Sequence, residues 1–370
     1  MRNRKHVLIV LPKLQVGGAE RVVTEIANGL VEDGASVTMF SVVAGEQKVP
    51  FTLDPRIEQK HLSSGCKHVT HSRLLGFFYR VVSIRRVIKE HSPDVVLSFL
   101  TSINNLVLLS SIGLGVPVVV SERTNPAQHR CGIATSTLRK VVYRRASCVV
   151  LQTRGAAEWM TRRVRCTAKV IPNFIPAYRL GGDTTEWEGQ NSEIIVSVGR
   201  LVPEKAFDDL IKAFAMVVQR LSGLRLRIVG DGPERDVLWQ LAIKSSVSES
   251  IEFVDELTDV GKVLVSGGVY VQSSRREGFP NALLEAMWLG VPVVASQAAG
   301  SMLIDQAVNG KIYPTGNITA LAASIEDLMR NRTLSAELGS NAKKVKESYS
   351  ENVVLPMWKE TLFLGSSGCS

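Results

Sequence analysis

Short apolar runs alternate with helix-length amphipathic stretches along this chain, and after a polar break near residue 180 the alternation starts again. His6–Leu11, Ser36–Val42, Asp94–Leu100 and Val116–Ser121 are largely apolar on both faces. Strands buried on both faces belong to parallel sheets covered by helices. Between the first two runs, Ala19, Val22, Val23, Ile26, Ala27, Leu30 and Val31 recur at helical spacing up to Gly34. The second half repeats the pattern with Ile194–Val198, Leu224–Val229, Ile251–Val254, Val269–Gln272, Val291–Ala295 and Lys311–Tyr313. The fold class is therefore α/β, with two doubly wound Rossmann-like domains. A length of 370 residues accommodates two such units. The expected boundaries are 1–175, a polar linker at 176–192, and 193–350.

Several classes drop out at this stage. Residues 95–121 carry no charge, but Asn104, Asn105, Gly113, Gly115 and Pro117 make them a strand–helix–strand unit, not a membrane span. Pro12 and Lys13 end the first apolar run early, so it reads as a strand and not a signal peptide. Five scattered cysteines without a C-x-x-C pair suit reduced thiols in a cytoplasmic protein. No G-x-G-x-x-G dinucleotide fingerprint is present. His61, His68 and His71 fit no metal spacing and are expected at the surface, so no metal site is expected.

Charge is unevenly shared. Residues 1–175 hold 25 Lys and Arg against 11 Asp and Glu, whereas the remainder holds 19 against 24. The basic half points to an anionic partner. It lacks a nucleic-acid-binding motif and interleaved aromatics, so nucleic acid is not the expected one. Arg73–Glu90 reads as a helix with apolar residues around much of its surface and several cations. It fits either a core helix with a solvated edge or a contact with an anionic membrane surface.

The chemistry-bearing stretch is Arg275–Gly290, RREGFPNALLEAMWLG. Gly278-Phe279-Pro280 forms a turn, Asn281 is the expected N-cap of the helix Ala282–Leu289, and Gly290 stops it. A turn feeding a helix start offers backbone N–H groups and a positive dipole end to an anion. Glu277 lies outside the helix and Glu285 inside it, so they suit the two ends of an extended polyhydroxyl ligand; they also suit a solvated surface helix. Arg200 and Lys205 follow the strand Ile194–Val198 and suit a diphosphate. Gly17-Gly18 would allow close backbone approach at the first helix start. Ser121-Glu122-Arg123-Thr124-Asn125-Pro126 closes a parallel strand, where Arg123 could grip a phosphate with both arms of its guanidinium.

Taken in order, Gly17-Gly18-Ala19-Glu20-Arg21, Gly199-Arg200-Leu201 with Lys205, Gly230-Asp231-Gly232-Pro233, and Glu277 through Glu285 resemble the retaining nucleotide-sugar glycosyltransferases of family four. The resemblance implies the B-type fold, two domains facing each other across a cleft, with a helix near 351–370 crossing back to the first. It implies that Arg200 and Lys205 hold the donor diphosphate. Glu277 would contact the donor sugar, and Glu285 would bind the ribose. Backbone of Gly278, Phe279, Pro280, Asn281 and Leu283 would cap the phosphates, with Gly18 approaching from the other domain. Glu20, Arg123 and Asn125 would lie on the acceptor side. The implied activity is retaining, metal-independent hexosyl or N-acetylhexosaminyl transfer without a cofactor, with UDP as the expected nucleotide. The acceptor would be a lipid-linked glycan or polysaccharide in bacterial surface-glycan assembly, at the cytoplasmic face of the inner membrane. A nucleotide-sugar epimerase or a catalytically silent sugar-nucleotide-binding partner are the alternatives. One departure from the family pattern is Ala206, where a Gly or Asn is usual after the lysine.

Overall fold

The computed structural model describes residues 4–13, 18–43, 52–62, 73–124, 126, 131–176, 180, 187, 189, 192–255 and 260–363. The chain divides into two units, Met1–Phe174 with Asn352–Ser370, and Ile175–Glu351.

In the first unit the described strands are β1 (His6–Leu11), β2 (Ser36–Ser41), β3 (Glu58–His61), β4 (Val95–Phe99), β5 (Val118–Ser121), β6 (Cys148–Leu151) and β7 (Ala168–Val170). They form one parallel sheet in the order β3-β2-β1-β4-β5-β6-β7. Successive side chains of a strand point to opposite faces. Val7, Ile9 and Leu11 accordingly join a core under the helices Gly18–Glu32 and Glu351–Phe363, which contribute Val22, Ile26, Val354 and Trp358. Leu8 and Val10 join a second core under Arg73–His91, Thr101–Ser110 and Arg154–Val164.

The second unit holds β8 (Ile194–Val198), β9 (Arg225–Val229), β10 (Ile251–Val254), β11 (Val269–Gln272), β12 (Val293–Ser296) and β13 (Lys311–Tyr313). These pair in parallel in the order β10-β9-β8-β11-β12-β13. Strand order reverses between β1 and β4 in one sheet and between β8 and β11 in the other. Ligands of open α/β sheets bind at the carboxyl ends of such strands.

Residues 43–72, in which the sequence shows no strand or helix pattern, contain an edge strand, β3, whose sequence EQKH has no apolar alternation because it is exposed or half-exposed throughout. Two expectations need correction. His61 is half-buried in that strand with its Nδ1 shielded from solvent, and His68 and His71 lie outside the described residues. The segment 176–192 is not a free linker at its described positions. Leu180 is buried in the second unit's core, and the Trp187 indole donates to the Gly267 carbonyl at 2.7 Å. Among the described residues, no helix is long and apolar enough to cross a membrane.

Candidate active site

The loops leaving β8 and β11 lie side by side at the second sheet's switch point. The first carries Gly199, Arg200 and the 3₁₀ turn Pro203–Lys205; the second runs from Ser273 to Pro280. Backbone and side chains sew them together. Arg275 N–H donates to the Glu204 carbonyl at 2.8 Å and Ser273 Oγ donates to the Lys205 carbonyl at 2.8 Å. The Arg275 guanidinium reaches Pro203 O at 3.0 Å, both Asp208 carboxylate oxygens at 2.9 Å, and Asp209 at 2.8 Å. Burial would raise the Asp208 carboxyl, but Arg275 and Lys212 outweigh it and hold it below the usual value. Burial and the neighbouring Asp208 charge raise Asp209.

A third loop braces the first from behind. Gly230 has φ 138° in Gly230-Asp231-Gly232-Pro233, and a Cβ there would lie 2.1 Å from the Gly199 carbonyl oxygen. A Cβ on Gly232 would lie 2.4 Å from the Leu201 carbonyl oxygen. Leu201 N–H donates to Asp231 O at 2.9 Å and Glu234 N–H to Leu201 O at 3.0 Å. The two glycines let these backbones touch, which fixes the loop that presents Arg200. Arg200 itself is exposed, and its side chain has no hydrogen-bond partner among the described residues.

At the centre, Lys205 Nζ donates to Glu277 Oε1 at 2.6 Å. The same oxygen accepts from Ser274 Oγ at 2.6 Å and Gln272 Nε2 at 3.1 Å. Gln272 Nε2 also donates to Ser274 Oγ at 2.8 Å, and the Tyr270 hydroxyl donates to Gln272 Oε1, fixing which way the amide points. Burial pushes the Tyr270 phenol well above its ordinary range, with the Glu277 and Glu285 carboxylates adding to the effect, so it stays a donor. Every described hydrogen bond to Glu277 therefore lands on Oε1, and Oε2 has no partner among the described residues.

The helix after the turn is Asn281–Leu289, and its N-cap is Pro280, not Asn281. The Pro280 carbonyl accepts the first helical bond from Leu284 N–H at 3.0 Å, which places the half-helical position one residue earlier. No side chain caps this end. Phe279 is buried against Tyr349 with ring centroids 5.9 Å apart, Leu283 is fully buried, and Gly290 closes the helix in the left-handed conformation. With the Leu283 side chain in the core, only its backbone can meet a ligand. Glu285 is buried on this helix. Ala206 also takes the left-handed conformation, φ 53° and ψ 41°, which explains the Gly or Asn usual there.

In the first unit, Gly18 opens the helix Gly18–Glu32, and Glu20 sits in its first turn, half-exposed. Burial raises the Glu20 carboxyl despite its backbone hydrogen bond and the pull of Arg123. Arg123 corrects an expectation: its guanidinium is buried over the Phe99 ring, with Nη1 3.4 Å from Ser121 Oγ and Nη2 donating to Asn173 Oδ1. Both arms are already held inside the protein, so the planar phosphate grip is not available in this arrangement. Burial brings Arg123 down to about 10. Glu122 beside it is buried too, accepting from Thr101 Oγ1 at 2.8 Å and from the Tyr143 hydroxyl. Gly17, Asn125 and His129 lie outside the described residues. Among the described residues no group of three or more His, Cys, Asp or Glu could hold a metal ion.

Sequence reasoning singled out Arg200, Lys205, Glu277 and Glu285 but missed Tyr270, Gln272 and Ser274. Their signal was available: polar groups every second residue at the carboxyl end of an otherwise apolar strand.

Two doubly wound parallel-sheet units, one with a lysine–carboxylate pair at its switch point, define the class as a B-type glycosyltransferase fold. The chain belongs to the glycosyltransferases, since residues 16–179 match Glycosyltransferase Family 4 and residues 186–345 match Glycosyl transferases group 1. The lipopolysaccharide core biosynthesis glycosyltransferase LpsE of Rhizobium meliloti is 26% identical over 87% of this chain and 88% of its own length. A Campylobacter jejuni enzyme is 24% identical over 95% of this chain and 96% of its own. Its name is GalNAc-alpha-(1->4)-GalNAc-alpha-(1->3)-diNAcBac-PP-undecaprenol alpha-1,4-N-acetyl-D-galactosaminyltransferase. The fold matches that of HepE from Anabaena, solved with UDP-glucose, at a TM-score of 0.78 and 20% identity over 98% of this chain and 99% of that one.

Proposed function

We propose that this protein transfers a hexosyl or N-acetylhexosaminyl group from a UDP-sugar, with retention and without a metal, to a lipid-linked glycan or polysaccharide acceptor. The observation that carries the reading is the Lys205–Glu277 pair beside the exposed Arg200 and the uncapped start of Asn281–Leu289. Arg200, Lys205 and the first-turn N–H groups, notably that of Leu283, hold the diphosphate and stabilise its growing charge as it leaves. Gly278, Phe279 and Pro280 shape the turn that brings this helix end to the phosphates. Glu277 Oε2 accepts from donor-sugar hydroxyls, and Glu285 accepts from the ribose. The bond from the anomeric carbon to the phosphate oxygen breaks as the acceptor oxygen bonds on the same face. The hydroxyl proton passes to the departing phosphate. Glu277 thus positions and polarises; it is not a covalent nucleophile.

The UDP-glucose bound to HepE and the polyprenol-linked acceptor in the Campylobacter enzyme's name support these assignments of donor and acceptor. The acceptor side belongs to the basic first unit, with Glu20 at the carboxyl edge of its sheet and Arg123 setting Glu20; the resemblance adds Asn125 to this side and gives Gly18 to the donor phosphates. That unit would meet the anionic cytoplasmic face of the inner membrane.

The deciding measurement is a screen of UDP-, GDP-, ADP- and TDP-sugars by thermal shift, followed by slow donor hydrolysis in EDTA. Stabilisation by one UDP-sugar with UDP release in EDTA is the expected result, and NMR of the anomeric proton of the transferred sugar reads the stereochemistry. Stabilisation with no release of UDP would leave a silent binding partner, and response to none of them would sink the transferase reading.

A further inference from the structure

Two helix faces on the first unit share a lengthwise polarity. On Arg73–His91, Leu74, Phe78 and Val82 recur every four residues and are 73%, 62% and 59% exposed. The same stripe continues into the exposed Arg86 and Lys89. On Ile133–Val142, Ile133 is 89% exposed, and its face runs through Lys140 and Val141 to the exposed Arg144. Both helices pack beside Thr101–Ser110, and their inner faces bury Ile84, Val87, Ile88 and Val142 in one core. They are outer members of a single layer.

Each of these helices follows a strand of a parallel sheet and so begins at its carboxyl edge. That is also the edge at which Glu20 and Arg123 lie. The apolar end of the first stripe and Ile133 therefore sit at the carboxyl edge, and the cations lie toward the opposite edge, with Val141, 63% exposed, among them. Singly exposed apolar residues are ordinary, but a helical row with a second such residue across Thr101–Ser110 on the same layer is not. Exposed cations outnumber carboxylates on these two helices, where Glu90 is the exposed acid. Like charge disfavours a second copy of the chain as the cover, whereas an anionic bilayer complements it.

We infer that this layer docks on an anionic lipid bilayer with the carboxyl edge of the sheet tilted down. Leu74, Phe78, Val82 and Ile133 enter below the headgroups while Arg86, Lys89, Lys140 and Arg144 meet lipid phosphates. The tilt brings the acceptor-binding edge to the depth of a lipid-linked diphosphate. In this it rests on the proposed function, although the docking itself can stand or fall alone.

Flotation of the full chain with neutral phosphatidylcholine vesicles, and with vesicles containing phosphatidylglycerol, tests it. Binding at least ~10-fold tighter to the anionic vesicles is expected. The double change Phe78→Ser and Val82→Ser, on exposed positions, weakens it at least ~10-fold, and Arg86→Glu with Lys140→Glu abolishes the anionic preference. Tilt is read with brominated lipids: a tryptophan placed by Phe78→Trp is quenched more than one placed by Lys89→Trp. Equal binding to both vesicle types, unchanged binding of the Ser variant, or equal quenching would overturn the inference. So would a dimer in sedimentation that the Ser variant dissolves. Transfer to a lipid-free acceptor glycan is measured in parallel and should be unchanged in the Ser variant. Its absence from every form, with vesicle binding intact, would count against the transferase reading and not against the docking.

Discussion

Glu277 receives three hydrogen bonds on one oxygen, and this sets what can be expected of single substitutions. Lys205→Ala or Glu277→Gln removes a charge from the pair at the switch point and should cut transfer about 100-fold, as loss of one preorganised electrostatic group does. Initial rates beside a thermal melt check this, the melt distinguishing lost chemistry from lost fold. Ser274→Ala removes one bond to a charged acceptor, worth about 1.5–3 kcal/mol, so kcat should fall at least ~10-fold with little change in donor KM. Gln272→Leu should act in the same direction. A merely structural serine would shift the melt and leave the ratio of kcat to KM alone. Ala206→Gly should do the opposite of harm, relieving left-handed strain of about 1–2 kcal/mol less the glycine's extra unfolded entropy, for a net gain of about 0.5–1 kcal/mol in denaturant unfolding. The charged residues were legible because their spacing is shared with a family. Gln272 and Ser274 showed only as an alternation of polar residues, because their importance arises from the pleat at the end of β11 and just beyond it, which turns both side chains toward Glu277. Arg123 was legible as a cation at a strand end, but burial over Phe99, which no spacing reveals, decides what its arms hold.

At the scale of elements, periodicity located most strands and the helices near Ala19–Gly34, Arg73–Glu90 and Ala282–Leu289, since strands buried on both faces and amphipathic helices write themselves into the sequence, whereas Ile133–Val142, Arg154–Val164, Ile318–Arg330 and Arg332–Ala342 were not singled out. β3 escaped because an edge strand half-open to solvent needs no apolar side chains; its pairing with β2 rests on backbone hydrogen bonds. The start of Asn281–Leu289 was placed one residue late because Asn is a better N-cap than Pro by preference, and here tertiary packing of Phe279 against Tyr349 sets the turn instead. The glycine-rich loop after β9 was legible as a motif but not as a brace. Gly232→Ala should cost about 1–3 kcal/mol by overpacking against Leu201 and should also loosen nucleotide binding, because the displaced backbone carries Arg200. Chemical denaturation and isothermal titration with UDP would read the two effects separately. Retained UDP affinity would mean that the loop supports stability alone.

On the scale of the molecule, the first unit is interrupted: its final helix, Glu351–Phe363, arrives only after the whole second unit has been traversed. Trp358 is fully buried in the first core beside Phe99. Trp358→Ala should therefore cost about 3–5 kcal/mol in the unfolding of the first unit, while UDP affinity, proposed for the second, stays unchanged. Parallel loss of UDP binding would show that the two units unfold as one. Periodicity alone could not say which core receives the last helix, because an apolar stripe fits any apolar surface; the family resemblance placed it on the first unit, where it lies. The entry and exit of the second unit have a consequence of their own. Ile175 and Ser350 form a β-bridge, so the chain enters and leaves this unit at one place. An insertion whose ends already meet adds little loop-closure cost to its host. The segment 175–351, which carries Arg200, Lys205, Gln272, Ser274, Glu277 and Glu285, is thus a cassette. On the proposed function, the corresponding cassette of a relative grafted between 174 and 352 would exchange the donor while leaving the acceptor unit untouched, a route by which such chains can diversify one sugar at a time.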